Sequence, residues 1–416
     1  MISAYSRNSN ASARPNMRYR QTKSPSKLRG QVLTPHNLAD CLVGQLRGTQ
    51  QAWLELGVGT GRIAQACIQG RDPESYIGVE IDPRLAALAP SDERLHVTMA
   101  DVLSPASLFK TLGDQLFDRT AGNPPFGLYA LDENCRNRIE ALCPGLELSL
   151  NWVPLDLYFV LESISRLKAG GEAAFIVASP IAEDARLRAF RKALIETACE
   201  VECFELPERA FDWKAQVQTY LLVARFGNAP CRRVRVGRLS LGSLEVATEC
   251  WVDPAAAIEH LDFGFHEFTA MNRSFKALPN TRSLGELGAH IVRGSRTKAQ
   301  FDELDIRSFH TTDLPRSSSE VHFDNATDHG FKFAQEGDIL IARVGTRCLD
   351  RQAVVVAGRR HYTEAVYRIE VPRQHQKRVA SWVASEAGAR WRRAAATGSC
   401  AKHLTVGTLM NMPVPR

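Results

Sequence analysis

Residues 54–64 read LELGVGTGRIA, and this stretch decides the fold of the first half of the chain. An apolar strand pattern runs directly into Gly57, Gly59 and Gly61, and a helical pattern follows them. Glycine is favoured where a strand turns sharply into a helix and a ligand approaches the backbone, because glycine has no Cβ. The stretch therefore predicts a ligand-binding loop at the carboxyl end of a parallel strand, with an ordinary strand-to-helix turn as the alternative.

Short apolar runs alternate with helical patterns from residue 30 to residue 226, which predicts a parallel sheet with crossover helices. The predicted strands are QAWLELGV, ESYIGVEI, LHVTMAD, LFDRTAGN, GEAAFIVAS, VECFEL and QTYLLVARF. We therefore expect a Rossmann-like, seven-stranded α/β domain over residues 30–226. Residues 227–280 read as a connection, and residues 281–416 read as a smaller α+β domain. Its predicted strands are GDILIARVG, RQAVVVAG and AVYRIEV, and one helix is predicted over VASWVASEAGARWRRAAAT, residues 379–397.

The 416 residues divide unevenly in charge. Residues 1–30 carry a net charge of +7 and residues 281–416 another +7, so the total of +6 leaves −8 for the middle. Basic ends favour a nucleic-acid partner, since attraction to phosphate is electrostatic. A solvated surface with a disordered basic tail over residues 1–29 explains the charge equally well.

Several classes of protein are disfavoured by the composition. No apolar run approaches the length of a membrane span, and the N-terminus is polar, so we expect a soluble, cytoplasmic bacterial protein. The ten cysteines include no CxxC pair. Cys199 and Cys203 lie four residues apart, but no nearby residues complete a ligand set, and we predict no metal site.

Carboxylates follow the strands around the glycine loop. Glu80 ends the second strand, 23 residues after Gly57, where it can accept ribose hydroxyl hydrogen bonds. Asp101 ends the third strand and can accept from an adenine amino group. Glu55 lies just before the loop, which makes the pocket acidic and suits the ammonium and sulfonium of S-adenosylmethionine better than a pyrophosphate. The expected cofactor contacts also include the neighbouring Ile81 and Val102.

The fourth predicted strand ends in AGNPPFGLY, which contains Asn123, Pro124, Pro125 and Phe126. An Asn side-chain oxygen and the Pro124 carbonyl can accept hydrogen bonds from the amino group of adenine and favour its pyramidal, nucleophilic form. Two prolines stiffen the loop, and Phe126 offers a face on which an extruded base can stack. The alternative is a simple proline-rich turn.

These motifs resemble the adenine-N6 DNA methyltransferases of the gamma arrangement, over about residues 30 to 226. The resemblance implies that the segment QVLTPHNLADCLVGQL closes over the methionine end of the cofactor through Thr34 and Pro35. It also implies that Phe211, in ERAFDWKAQVQTYLL, is a second aromatic wall for the flipped base. Trp213 is the rival for that role, and either aromatic residue can instead belong to the core.

The C-terminal region resembles the target recognition domains of type I restriction specificity subunits, in SLGELGAHIVRGS, EGDILIARVGT and GSCAKHLTVGTLMNMPVP. Six basic residues lie in or beside its predicted loops, where they can contact phosphates or guanine edges. They are Arg293, Arg296, Lys298, Arg343, Arg347 and Arg351. Ordinary solvated surface residues are the alternative.

Together the motifs predict a site-specific DNA adenine-N6 methyltransferase that uses S-adenosylmethionine without a metal. The expected partners are double-stranded DNA and a separate restriction endonuclease or other defence-system subunit. An RNA or protein-glutamine methyltransferase also carries NPP followed by an aromatic residue, and a non-catalytic DNA-specificity module is a further alternative.

Overall fold

The computed structural model describes residues 32–130, 132–146, 153–211, 218–316, 319–345, 347–398 and 402–416. The predicted basic tail and Trp213 lie outside these residues. In the described ranges, no helix combines the length and the apolar character that a membrane span requires.

A nine-stranded mixed sheet forms the first domain, in the order β11-β10-β8-β9-β7-β4-β1-β2-β3. Its strands are β1 (Ala52–Leu56), β2 (Ser75–Glu80), β3 (Leu95–Met99), β4 (Phe117–Gly122), β7 (Leu167–Ala178), β8 (Ala198–Glu205), β9 (Thr219–Phe226), β10 (Val234–Leu239) and β11 (Val246–Val252). Only β9 and β11 run antiparallel to the other members of this sheet. Two short strands, β5 (Leu128–Tyr129) and β6 (Val153–Pro154), pair separately after β4.

Helices cover both faces of this sheet. They span His36–Gly44, Arg62–Arg71, Pro83–Ala86, Pro105–Leu112, Glu133–Leu142, Leu155–Ile164, Ser179–Glu183, Arg188–Thr197, Pro254–Glu259 and Phe263–Lys276, with a 3-10 turn at Ala185–Leu187. Successive side chains of a strand point to opposite faces. In β1, Trp53 packs into one hydrophobic cluster while Leu54 and Leu56 pack into the other. The buried strands thus separate two cores, as their continuous apolar sequences predict.

The sheet is wider than the sequence predicts, because β10 and β11 come from the segment that we interpreted as a connection. Strand β10 pairs parallel to β8, and β11 closes the edge. A Cβ on Gly237 of β10 would lie 2.6 Å from the Thr248 carbonyl oxygen of β11, so glycine permits this close pairing. Strand β11 lies at the edge of the sheet and is largely exposed, so it lacks the buried apolar run by which the other strands were predicted.

The helix Phe263–Lys276 connects the two domains. The Gly264 amide at its start donates to Glu205 Oε1 at the end of β8, at 2.7 Å. Toward its other end, Asn272 Oδ1 accepts from Trp391 Nε1 at 3.0 Å. The helix therefore contacts both the large sheet and the C-terminal region.

The C-terminal region contains a five-stranded sheet, β13-β20-β17-β18-β15, a three-stranded sheet, β14-β19-β16, and the pair β12-β21. The strands are β12 (Arg282–Ser283), β13 (His290–Arg293), β14 (Ser308–Phe309), β15 (Glu320–His322), β16 (Phe333–Gln335), β17 (Ile339–Ala342), β18 (Gln352–Ala357), β19 (Arg359–Tyr362), β20 (Val366–Glu370) and β21 (Pro413–Val414). The helices are Lys298–Asp302, Arg373–Ala384, Glu386–Ala395 and Val406–Met410, with a 3-10 turn at Thr311–Asp313.

The single long helix predicted over residues 379–397 is two helices that meet at Ser385. The Ser385 hydroxyl accepts from the Gly388 amide at 3.0 Å and caps the second helix. A Cβ on Gly388 would lie 2.1 Å from the Trp382 carbonyl oxygen, so the tight corner requires glycine. The strands predicted around residues 337–371 correspond to β17, β18 and β20.

Candidate active site

The glycine loop lies at the carboxyl end of β1, as predicted. Gly57, Gly59 and Gly61 have φ values of 80°, 58° and 74°, a region that side chains rarely adopt. A Cβ on Gly61 would lie 2.6 Å from Pro90 Cδ, so this position also lacks space for a side chain. The loop borders a cleft that is lined by Val32, Leu33, Thr34, Glu55, Gly57, Val58, Gly59, Thr60, Arg62, Ile63 and Asn123.

The Glu80 carboxylate fixes this loop to the end of β2. Its Oε2 accepts from the Gly59 amide at 2.9 Å, and its Oε1 accepts from the amides of Ile81 and Asp82 at 2.9 and 2.8 Å. The side chain is buried, with 3% exposure. Glu80 thus holds the backbone of the loop, and its predicted contact with ribose hydroxyls stays a prediction.

Glu55 is a nearly fully buried carboxylate, with 2% exposure, and it lines the cleft. Tyr76 of β2 donates a hydrogen bond from its hydroxyl to Glu55 Oε2 at 2.6 Å. Burial raises the pKa of Glu55 well above its usual range, the bond from Tyr76 opposes this rise, and the nearby charge of Glu80 adds to it. One carboxylate oxygen is therefore held by Tyr76 at the wall of the cleft.

Asn123 begins the NPPF segment at the carboxyl end of β4. Its Nδ2 donates to the Val32 carbonyl oxygen at 3.1 Å and to Thr34 Oγ1 at 3.0 Å. A carbonyl oxygen can only accept, so the amide must turn its nitrogen to Val32 and its oxygen away. Among the described residues, the buried Oδ1 has no hydrogen-bond partner. This unpaired acceptor is available to a substrate amino group.

The segment before the first helix crosses the cleft. Thr34 contacts Asn123, and the Arg62 guanidinium donates to the Thr34 carbonyl oxygen at 2.9 Å. Pro35 is the N-cap residue of the helix His36–Gly44. The structure therefore brings the predicted Thr34 and Pro35 beside the predicted glycine loop and catalytic loop, although no spacing in the sequence indicates these contacts.

Phe126 and Phe211 contact each other, with ring centroids 6.3 Å apart and ring planes at 85°. Phe211 is buried and Phe126 is partly buried, and both belong to one hydrophobic cluster. This edge-to-face contact leaves no slot between two parallel ring faces. The structure thus unites the two predicted stacking residues, and their role as walls for a base stays a prediction.

Three more residues that were predicted to contact the cofactor lie at the same edge of the sheet: Asp101, Ile81 and Val102. Asp101 is partly buried, and its Oδ1 accepts from the Leu103 amide at 2.9 Å. Ile81 is 41% exposed after β2, whereas Val102 is buried in a core cluster. None of these three residues is among those that line the cleft.

Asp156 is a buried carboxylate that the sequence analysis missed. It is fully buried in the first turn of the helix Leu155–Ile164, and its Oδ2 accepts from the Ala178 amide at 2.8 Å. Burial raises the pKa of Asp156 to about 6, against the effect of its backbone hydrogen bonds. Phe159, one turn later, lies beside Gly57. The helix thus supports the floor of the glycine loop.

Three of the predicted DNA-binding residues meet at Glu364. Arg293 forms an ion pair with the Glu364 carboxylate, and Arg343 Nε donates to the Glu364 carbonyl oxygen at 2.7 Å. The Glu364 amide donates to the Arg296 carbonyl oxygen at 2.8 Å. Lys298 pairs with Asp302, one turn along its helix. Arg347, which is exposed, and Arg351, which is partly buried, lie in the turn after Gly345.

Tyr76 and Arg62 are further site residues that the sequence analysis missed. Arg62 directly follows the last glycine of the loop, and this adjacency is a signal that identifies it. Tyr76 looks like an ordinary core residue of β2, and only its contact with Glu55 reveals it. In the described part of the chain, no group of three His, Cys, Asp or Glu residues is arranged to hold a metal ion.

Comparisons with known proteins find similarity over part of the chain. No protein-family model matches it. A stretch of 98 residues is 40% identical to the release factor glutamine methyltransferase of Geobacter sulfurreducens, covering 23% of this chain and 34% of that protein. A stretch of 99 residues is 36% identical to a tRNA1(Val) (adenine(37)-N6)-methyltransferase of Porphyromonas gingivalis, covering 22% of this chain and 38% of that protein. The chain thus spans about a third of the length of these curated relatives.

Two solved structures from restriction-modification systems align with this chain. The type IIG restriction endonuclease BpuSI aligns with a TM-score of 0.49 and 12% identity, covering 94% of this chain and 60% of that chain. The type I restriction-modification methyltransferase subunit of Streptococcus thermophilus aligns with a TM-score of 0.43 and 18% identity, covering 56% of this chain and 53% of that chain. The chain has an α/β mixed sheet followed by a smaller β-rich region.

Proposed function

We propose that this protein is an S-adenosylmethionine-dependent methyltransferase that modifies the N6 amine of adenine at a specific site in double-stranded DNA. The observation that carries the proposal is the buried, unpaired Oδ1 of Asn123 beside the cleft of the glycine loop. An acceptor in this position is suited to an amino group that must be made nucleophilic.

The residues of the cleft fit the proposed cofactor. The bare backbone of Gly57 and Gly59 allows close approach, and the Glu55 carboxylate suits an ammonium or sulfonium cation. When bound, the cofactor supplies a methyl group activated by its sulfonium sulfur. The contacts of Glu80, Ile81, Asp101 and Val102 with the cofactor remain part of this proposal, as do those of Thr34, Pro35 and Gly61.

The chain's own residues would then prepare the amine. Asn123 Oδ1 and the Pro124 carbonyl accept hydrogen bonds from the N6 hydrogens and direct the nitrogen lone pair toward the cofactor side of the cleft. Val32 and Thr34 hold the Asn123 amide by its nitrogen, so the acceptor is oriented before the substrate arrives. Phe126 supplies a face for the base, and Phe211 supplies a second one if the two rings separate.

The DNA substrate is the finer part of the proposal. The basic residues of the C-terminal region, among them Arg293, Arg296, Arg343, Arg347 and Arg351, suit a polyanionic partner. The two curated relatives described above are a glutamine and a tRNA adenine methyltransferase, so protein and RNA are the competing substrates. A separate restriction endonuclease or other defence subunit is a proposed partner.

The test is transfer of labelled methyl from S-adenosylmethionine to plasmid DNA, tRNA and protein extracts in parallel, with mass analysis of the digested products. We expect N6-methyladenine from DNA in one sequence context. Asn123→Ala should retain cofactor binding and lose about 100-fold to 1,000-fold or more in methyl transfer. Label on tRNA or protein alone would refute the DNA substrate, and near-normal transfer by Asn123→Ala would refute the proposed role of this residue.

A further inference from the structure

An aromatic cluster in the C-terminal region is not used by the proposed reaction. His361 of β19 is fully buried, and its ring stacks on Phe333 at a centroid distance of 4.1 Å. The rings of Phe301 and Phe331 lie 5.9 and 5.8 Å from it. The cluster forms a rigid base for the surface above it.

The loop between β15 and β16 is anchored to this cluster. The two ring nitrogens of His361 face the carbonyl oxygens of Lys332 and Thr327 at 3.3 and 3.2 Å. The Arg359 Nε donates to the Ala326 carbonyl oxygen at 3.1 Å, and the Ala326 amide donates back to the Arg359 carbonyl oxygen at 3.0 Å. The loop backbone is therefore held in one position.

Two guanidinium groups lie over rings of the cluster. Arg296 is 4.4 Å from the centroid of Phe331, and Arg359 is 4.7 Å from that of Phe333. Lys332, between the two phenylalanines in sequence, is exposed, and its ammonium donates to the Arg293 carbonyl oxygen at 2.8 Å. Two stacked guanidinium groups and the Lys332 ammonium are thus ordered by this cluster and the backbone around it.

These cations differ from their neighbours in lacking acidic partners. Within the residues that the structure describes, Arg296, Lys332 and Arg359 form no ion pair with a carboxylate. Nearby cations that do form such pairs are Arg293, Lys298, Arg307 and Arg360. Cations that are ordered but have no acidic partner leave a positive field that attracts an anionic partner.

We propose that Arg296, Lys332 and Arg359, here named the stacked-cation surface, bind the sugar-phosphate backbone of the target duplex. This inference rests on the proposed DNA substrate and adds Lys332 and Arg359 to the residues that contact it. A stacked guanidinium keeps its planar N–H edge pointing outward, which matches phosphate oxygens, and it loses little side-chain entropy on binding. Lysine is a point charge without base selectivity, which favours phosphate over base edges.

The test measures binding of the full-length protein to fluorescent duplexes with and without the recognised sequence, over a series of salt concentrations. For Arg296→Ala/Arg359→Ala we expect the Kd to rise about 10-fold to 100-fold at fixed salt, equally on both duplexes. The slope of log K against log salt should fall by about 2, since two phosphate contacts are lost. Binding of S-adenosylmethionine should not change.

Two further variants separate the stacked-cation surface from net charge. Arg186→Ala/Arg188→Ala removes two exposed arginines that pair with Asp184 and Glu259 in the first domain, and it should leave the Kd within about twofold of wild type. Arg296→Lys/Arg359→Lys keeps the charge but removes the planar group, so the salt slope should persist while affinity falls severalfold.

Three outcomes would overturn the inference. The first is that Arg296→Ala/Arg359→Ala binds both duplexes as tightly as the Arg186→Ala/Arg188→Ala control. The second is that it loses affinity only for the duplex with the recognised sequence. The third is that it loses affinity only for RNA. Failure of the wild-type protein to bind or methylate any duplex refutes the proposed DNA substrate instead. Normal wild-type binding with an unaffected alanine pair refutes only the stacked-cation surface.

Discussion

Tyr76→Phe removes one hydroxyl from the fully buried partner of Glu55 and leaves its packing against Trp53 in place. The lost bond, 2.6 Å long, opposes the rise in the pKa of Glu55 that burial causes. Without it the pKa of Glu55 rises further, and less of the carboxylate is ionised at neutral pH. Because a cationic cofactor requires the ionised form, its binding should weaken.

The size of the effect follows from the type of bond. A hydrogen bond to a charged group contributes about 1.5–3 kcal/mol. The Kd for S-adenosylmethionine should therefore rise about 10-fold to 100-fold near pH 7 and recover as the pH increases. Calorimetric titration across the neutral to alkaline range measures both features.

Tyr158→Phe is the matched control. Tyr158 is also fully buried, and its hydroxyl donates to Glu162 at 3.2 Å, but neither residue lines the cleft. Both variants lose a buried tyrosine-carboxylate bond, so both should lose stability in thermal unfolding. Only Tyr76→Phe should lose cofactor affinity, and equal affinity of the two variants at every pH would refute the positioning of Glu55 by Tyr76.

Three other variants test the loop, the acceptor and the buried helix. Gly61→Ala should unfold at a lower temperature than Gly59→Ala. Both residues have positive φ, but only a Cβ at Gly61 would meet another atom within 4 Å, Pro90 Cδ at 2.6 Å. Equal melting temperatures of the two variants would contradict this steric explanation. Thr34→Val removes one of two acceptors that orient Asn123, and kcat should fall about fivefold to tenfold, by about 1 kcal/mol, with unchanged cofactor affinity in binding titrations. Asp156→Asn should gain stability relative to the wild type as pH rises from about 4 to 6, because the folded pKa of Asp156, about 6, exceeds its unfolded value. In denaturant unfolding near pH 7.5 the variant should be about 3 kcal/mol more stable, and parallel pH profiles of the two proteins would refute the assignment.

The boundaries of local elements follow from sequence because their causes are local. The predicted strands correspond to β1 to β4 and β7 to β9, since runs of buried apolar residues are visible without knowledge of the fold. The exposed edge strand β11 and its partner β10 were missed, because their pairing depends on Gly237 of β10 meeting a carbonyl oxygen of β11. Likewise, the corner at Ser385 depends on a contact between Gly388 and Trp382.

The sequence by itself determined the glycine loop, the carboxylates that follow the strands and the NPPF segment, because each lies at the end of an apolar run. Only the tertiary structure decided which of these groups touch. Thr34 and Asn123 are 89 residues apart in sequence, and they meet because the helix that follows Thr34 packs on the helix Arg62–Arg71 and on β7, the neighbour of β4. Arg296 and Phe331 likewise lie in distant segments of the sequence. Side-chain contacts between such segments depend on chain topology, which local patterns do not encode.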